Sequence, residues 1–183
     1  MRVEMLPLDL QKAVDFHGHL CPGLLIGYRA VKAAMKALKL NPSVDEELVA
    51  EVENDSCSVD AFQSMLSTTF GKGNLRFLDH GKQVFTITDR SENQAVRIVF
   101  IGDKFKDKRP DGSTDRKAYM KALLDRSDDE LLKVEVVDAA PPAKARIEPS
   151  LVCQSCGENV QQSKSVNKNG RVFCKPCAQK ESN

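Results

Sequence analysis

A chain of 183 residues with 41% hydrophobic and 29% charged side chains has room for one well-packed domain and a small appendage, which excludes two full enzyme domains. Its 27 basic and 26 acidic residues leave a formal net charge of +1, so the chain as a whole offers no polyanion-binding surface. No apolar run approaches the roughly 18 residues of a membrane span, and Met1-Arg2-Val3-Glu4 leads into an amphipathic segment rather than a secretory signal, which predicts a cytoplasmic protein.

Leu6, Leu10 and Val14 recur at helical spacing and predict a short helix that Gly18 ends. It delivers the octet Phe16-His17-Gly18-His19-Leu20-Cys21-Pro22-Gly23. Gly18 and the restriction that Pro22 places on Cys21 disfavour a continuous helix here, so two imidazoles and a thiol are expected on a bent connection, free to converge. His and Cys are the ligands that zinc and other late transition metals select. From Pro22 onward, Leu24, Tyr28, Val31, Met35 and Leu38 mark an amphipathic helix with Pro22 in its first turn, ended by Asn41-Pro42.

Residues 48–54 read as a strand, and Asp55-Ser56 offers oxygens to cap a helix whose apolar positions are Val59, Phe62, Leu66 and Phe70. Cys57 then falls in the first turn of that helix, where unpaired N–H groups favour a thiolate, and is a candidate metal ligand or nucleophile. Asp60 is a candidate base or a partner to a metal ligand, or else a carboxylate that satisfies helix-start N–H groups. Gly71-Lys72-Gly73-Asn74 breaks the helix; it is compact and cationic, and Lys72 is the candidate contact for a small anionic substrate. Three β-rich stretches follow at 75–78, 83–88 and 95–101, and predict an antiparallel meander with a turn at Asp79-His80-Gly81-Lys82. His80 is a lesser candidate for the cleft. Residues 104–114 are expected to form a charged loop with a Pro110-Asp111-Gly112 turn, 115–124 a helix, and Ser127-x-x-Glu130 a capping box opening a short helix. A strand at 133–138 completes the sheet, and periodicity is lost from Ala139 to Arg146.

Near the C-terminus, Cys153-x2-Cys156 and Cys174-x2-Cys177 are separated by 17 residues, the spacing of a four-thiolate zinc site. Such a site is closed, so its zinc holds the fold rather than doing catalysis. A hairpin of 163–166 with 171–173 about Asn167-Lys168-Asn169-Gly170, then a helix from Ala178-Gln179-Lys180-Glu181, gives the knuckle, hairpin and helix order of a treble clef. Lys164, Lys168, Arg171, Lys175 and Lys180 tint it basic, but Phe173 is the only aromatic there, so nucleic acid is not the expected partner.

The octet, followed by Gly27-Tyr28-Arg29-Ala30, by Val52-Glu53-Asn54-Asp55-Ser56-Cys57-Ser58-Val59-Asp60-Ala61, by Thr69-Phe70-Gly71-Lys72-Gly73-Asn74-Leu75 and by Asp79-His80-Gly81-Lys82, resembles the FmdE family of formylmethanofuran dehydrogenase components. The resemblance covers residues from about 10 to 100, and the C-terminal finger occurs in some members. It implies an α+β core with an antiparallel sheet, a homodimer, and a cleft in which His17, His19, Cys21 and Cys57 bind a transition metal, zinc or nickel. It further implies a place in redox-linked one-carbon or molybdenum- or tungsten-related metabolism, with such an enzyme as partner. The other function class is a protein that binds or delivers a metal or metal cofactor without turnover, its finger contacting a partner. The expected organisation is a cleft domain at 1–140, a linker at 141–150 and the finger at 151–183.

Overall fold

The computed structural model describes residues 6–106, 109, 111–138 and 142–180; the opening Met1-Arg2-Val3-Glu4, Pro110, the start of the linker at 139–141 and Glu181 lie outside the described residues. The chain divides into two units, Met1–Lys144 and Ala145–Asn183.

In the first unit, helix α1 spans Leu8–His17 and stops where Gly18 takes the left-handed conformation (φ 94°), its N–H donating back to the Val14 carbonyl. Only glycine enters that region without a steric cost, so the chain turns immediately after His17. Helix α2, Pro22–Leu38, begins soon after His19, with Cys21 as its N-cap and Pro22 in the first turn, as expected. It ends at Lys39 (φ 54°), just before the predicted Asn41-Pro42 stop. Strand β1, Leu48–Val52, leads into helix α3, Ser58–Leu66. Cys57 is the N-cap of α3 rather than a first-turn residue, and α3 does not reach Phe70, because Ser67 turns left-handed (φ 55°) and Phe70 is solvent-exposed.

Strands β2 (Leu75–Phe77), β3 (Val84–Asp89), β4 (Gln94–Phe100) and β5 (Leu132–Val137) complete a five-stranded sheet in the order β2-β1-β3-β4-β5. The β1–β3, β3–β4 and β4–β5 pairs are antiparallel, as an α+β fold with an antiparallel sheet requires. The predicted meander fails at one strand: β2 crosses over to pair in parallel with β1, with Ala50 opposite Leu75. Residues 78–83 therefore run past the end of β1 instead of forming a tight turn. One face of the sheet, with Ala50, Val52, Phe85, Ile87, Val96 and Ile98, is buried and covered by α2 and α3.

The predicted charged loop opens with a short 3-10 turn at Gly102–Phe105, and Asp115 caps helix α4, Arg116–Asp125. Helix α5, Asp128–Leu131, opens on the predicted capping box: the Ser127 N–H donates to the Glu130 carboxylate. Arg29 of α2 donates to the carbonyls of Leu123 and Arg126 and pairs with Asp128, so its guanidinium satisfies the end of α4. Among the described residues no helix is long and apolar enough to cross a membrane.

The second unit is a hairpin of β6 (Ser150–Val152) with β7 (Asn159–Gln161), a second hairpin of β8 (Val166–Lys168) with β9 (Arg171–Phe173), and helix α6, Lys175–Lys180. This is the treble-clef order. The second hairpin starts later than predicted, because Gln162–Lys164 winds into a 3-10 turn.

Candidate metal centres

Among the described residues two groups of ligand atoms gather, one in each unit. In the second unit the sulfurs of Cys153, Cys156, Cys174 and Cys177 lie within 4.8 Å of one another, a set that can hold a metal ion such as zinc. Each hairpin supplies the first cysteine of a pair from its strand end, and backbone N–H groups point at the sulfur of Cys153. Those of Cys156 and Cys174 bring the Cys153 thiol down to about 6. The Cys174 N–H reaches Cys153 Sγ at 3.2 Å. Donors aimed at sulfur favour thiolate, which is the form a metal binds.

The first unit brings together His17, Cys21 and Cys57, with one imidazole nitrogen and both sulfurs within 4.8 Å of one another. Each comes from a helix terminus: His17 from the last turn of α1, Cys21 from the N-cap of α2 and Cys57 from the N-cap of α3. The Leu24 N–H donates to Cys21 Sγ at 3.3 Å and fixes that sulfur at the start of α2. Cys21 Sγ lies 3.7 Å from His17 Nε2.

Asp60 settles which face of the imidazole is available. Its Oδ2 lies 2.6 Å from His17 Nδ1, so the carboxylate can accept from Nδ1–H, the tautomer that leaves Nε2 toward the sulfur of Cys21. Gln63 Nε2 donates to the other Asp60 oxygen at 3.1 Å and holds the carboxylate in place. Of the readings open for Asp60, the geometry favours that of a partner to a metal ligand. Asp60→Asn is expected to weaken cleft metal binding by about 10- to 100-fold while leaving the fold intact; competition of each protein against a chelator of known affinity measures it.

Cys57 differs from its expectation. Burial, and next the neighbouring Cys21 thiol, push its pKa up, outweighing the helix-start N–H groups. A metal bound there must displace a proton held more tightly than in a free thiol.

The remaining candidates lie elsewhere. His19 is exposed, its ring tilted against that of His17 at 4.7 Å between centroids, and it is not one of the three clustered ligands. Lys72 Nζ donates to the carbonyls of Ser43 and Val44, where it ties the α2–β1 connection. His80 pairs with Glu53 through Nδ1 at 3.0 Å. A cleft of about 210 Å³ opens beside Asp60, lined by Val52, Asn54, Asp55, Ser56, Val59, Gln63, Phe70 and Phe77. Among the described residues it is lined by two carboxylates, Asp55 and Asp60, and by no cation.

Sequence reasoning missed Gln63 and the glycines of α2. Gln63 stands three residues after Asp60 on the same helix face, a spacing that signals a side-chain pair. Gly23 and Gly27 lie one helical turn apart, on the α2 face that meets α3. A Cβ at Gly23 would lie 3.0 Å from Cys57 Cβ, and one at Gly27 only 2.1 Å from the Ser58 carbonyl oxygen. That close approach sets Cys57 beside Cys21. Asn54 prepares the same turn: its Oδ1 accepts from the Ser56 N–H and from the hydroxyls of Ser56 and Ser58.

Comparison with known proteins agrees with this architecture. The FmdE family model, described as molybdenum formylmethanofuran dehydrogenase operon, matches residues 16–137. A probable S-adenosyl-L-methionine-binding protein of Archaeoglobus fulgidus is 29% identical over 174 residues, covering 81% of this chain and 48% of that protein. The chain thus spans about half the length of that relative. The crystal structure of a tungsten formylmethanofuran dehydrogenase FmdE-like protein from Syntrophus aciditrophicus superposes with a TM-score of 0.66 at 23% identity, over 95% of this chain and 92% of that one. At that identity the likeness is one of fold.

Proposed function

We propose that this chain, which belongs to the FmdE family, holds a transition metal on His17, Cys21 and Cys57 and uses it in redox-linked one-carbon or molybdenum- or tungsten-related metabolism. The observation that carries this reading is the triad itself: one imidazole nitrogen and two sulfurs within 4.8 Å, with Asp60, the partner of that imidazole, also lining a cleft of about 210 Å³. Mixed nitrogen and sulfur donors suit zinc, with nickel the other candidate. Three protein ligands leave a coordination position for substrate, as reactive sites do and closed structural ones do not. A metal bound there would supply Lewis acidity toward a carbonyl, a thiol or water.

The chain's own residues divide the rest of the work. His17 presents Nε2 because Asp60 holds its Nδ1 proton, and Gln63 keeps Asp60 from turning away. Phe70 and Phe77 give the cleft an apolar wall, so a small, neutral or cationic substrate with an apolar part fits its chemistry. The finger carries a structural zinc on its four cysteines. Its Phe173 is fully buried under Arg171 and offers no platform for stacking bases, which supports a contact with protein rather than nucleic acid. A homodimer in the cytoplasm, with a molybdenum or tungsten enzyme as partner, completes the proposal; the family's association with a molybdenum formylmethanofuran dehydrogenase operon supports that partner.

Substitution with cobalt(II) tests the open position. Thiolate-to-cobalt absorption from both centres is expected, and a small added thiol should shift only the component that Cys57→Ser abolishes. No shift on thiol addition would show a closed site and sink the catalytic reading. The second reading, a carrier that hands its metal on, is favoured by the half-exposed Cys57, and is told apart by rapid transfer of the cleft metal to an apo-acceptor without turnover.

A further inference from the structure

Of the six cysteines in the chain, four belong to the finger; the other two face each other across the N-termini of α2 and α3. The Cys21 and Cys57 sulfurs lie within 4.8 Å of one another. The two helices are held at this separation by direct backbone approach. A Cβ at Gly23 would already lie 3.0 Å from Cys57 Cβ, and Gly27 sits against the Ser58 carbonyl. The two residues also differ in exposure: Cys21 is 3% exposed, whereas Cys57 is only half-buried.

We propose that Cys21 and Cys57 form a thiol–disulfide pair whose closure and metal binding exclude each other, with Cys57 reacting first with a small disulfide and Cys21 closing the bond. The second half, exclusion, rests on the metal reading of this site; the first half rests on the thiols alone. The Cys57 sulfur attacks one sulfur of a low-molecular-weight disulfide, forming a mixed disulfide and releasing one small thiol. The Cys21 sulfur then attacks the Cys57 sulfur, forming the Cys21–Cys57 bond and releasing the second. The two protons of the cysteine thiols leave on the two released thiols, and the two electrons lost by the pair reduce the reagent. Closure removes both thiolate ligands and leaves His17 alone, so a bound metal must leave. Conversely, a bound metal withdraws both sulfurs from attack. The site thereby reports the thiol–disulfide poise of its surroundings through its metal content.

The test treats the full-length protein with glutathione disulfide under mildly alkaline conditions, with the cleft zinc-loaded or emptied by His17→Ala. Metal is counted in the reduced protein beforehand, and linked peptides are identified by mass after alkylation and proteolysis. A Cys21–Cys57 linked peptide is expected in the emptied protein, forming at least about tenfold more slowly when zinc is bound. Cys21→Ser should accumulate a glutathione adduct on Cys57, while Cys57→Ser should leave Cys21 unmodified. A stable adduct on Cys57 in the wild-type sequence without the link, or modification of Cys21 first, would overturn the pair. Equal rates in a protein shown to hold cleft zinc would overturn the exclusion. Absence of cleft zinc from the reduced wild type would overturn the metal reading and the exclusion together, while the linked peptide and the order of reaction still decide the pair.

Discussion

A Cys174→Ser chain is expected to lose the metal of its second unit and, with it, the fold of 145–183, while the first unit keeps its structure. The cause is the size of that unit's core. Among the described residues, only Cys153, Phe173 and Ala178 are fully buried there, with Val166, Cys174 and Cys177 packed on them, so the apolar surface removed from water cannot offset the conformational entropy of ordering this many residues. Metal binding would supply the difference, with apparent values of about 10–16 kcal/mol for structural zinc in small fingers near neutral pH. Serine at 174 removes one of four thiolates, and the remaining three leave an open and weaker site. The first unit has its own core, built from α1 to α5 and the sheet. Limited proteolysis measures the outcome: the variant should be trimmed near Lys144 to a resistant fragment, and a strong chelator should do the same to the wild type. A finger that resists the protease after metal removal would contradict this account.

Gly27→Ala has the second-largest expected effect, and it falls on a residue that is not itself a candidate ligand. The added Cβ would lie 2.1 Å from the Ser58 carbonyl oxygen and 2.8 Å from its Cα and carbonyl carbon, contacts with backbone that no rotamer relieves. Either α3 moves away from α2 or the chain tolerates a contact that folded proteins do not show. Overpacking usually costs about 1–3 kcal/mol, and a clash with backbone belongs at or above the top of that range. For a chain of this size, about 3 kcal/mol lowers Tm by roughly 6–12 °C. Because α3 carries Cys57 at its N-cap, the same movement should separate Cys57 from Cys21 and weaken the cleft metal. Gly71→Ala is the control: nothing lies within 4 Å of its added Cβ, and its effect should stay within about 0.5 kcal/mol. Thermal melting and metal content of both variants check this; wild-type values for Gly27→Ala would show that the close approach does not position the site.

What could be read from the sequence was local. Gly18 and Pro22 punctuate the backbone on either side of His19, and Leu24 to Leu38 keep helical rhythm, so α1, the turn and α2 followed from neighbours in the chain. The four finger cysteines announced themselves by spacing alone, and the Ser127–Glu130 capping box needs only a single turn of helix. The misplaced features are those set by partners far away in the chain. Strand β2 is three residues long with no alternation to read, and its parallel pairing sets Leu75 opposite Ala50 and Phe77 opposite Val52, residues more than twenty positions away. The bond from Asp60 to His17 crosses 43 residues, so the choice among the roles open to Asp60 required the fold. His19 and Lys72 looked like site residues because of their neighbours in sequence; the turn after Gly18 leaves His19 exposed, and the carbonyls of Ser43 and Val44 capture Lys72. The thiol of Cys57 shows the same limit in its chemistry, since burial and Cys21 outweigh a helix-start effect that the local sequence alone suggested.

The first unit is expected to carry a metal on His17, Cys21 and Cys57, separate from the one expected in the finger. Metal content per chain, measured on protein purified under reducing conditions, tests it most directly. About two equivalents are expected in the wild type, and about one in Cys57→Ser, with the finger still folded. An unchanged metal count in Cys57→Ser would contradict the account and leave His17, Cys21 and Cys57 as a cluster that binds no metal.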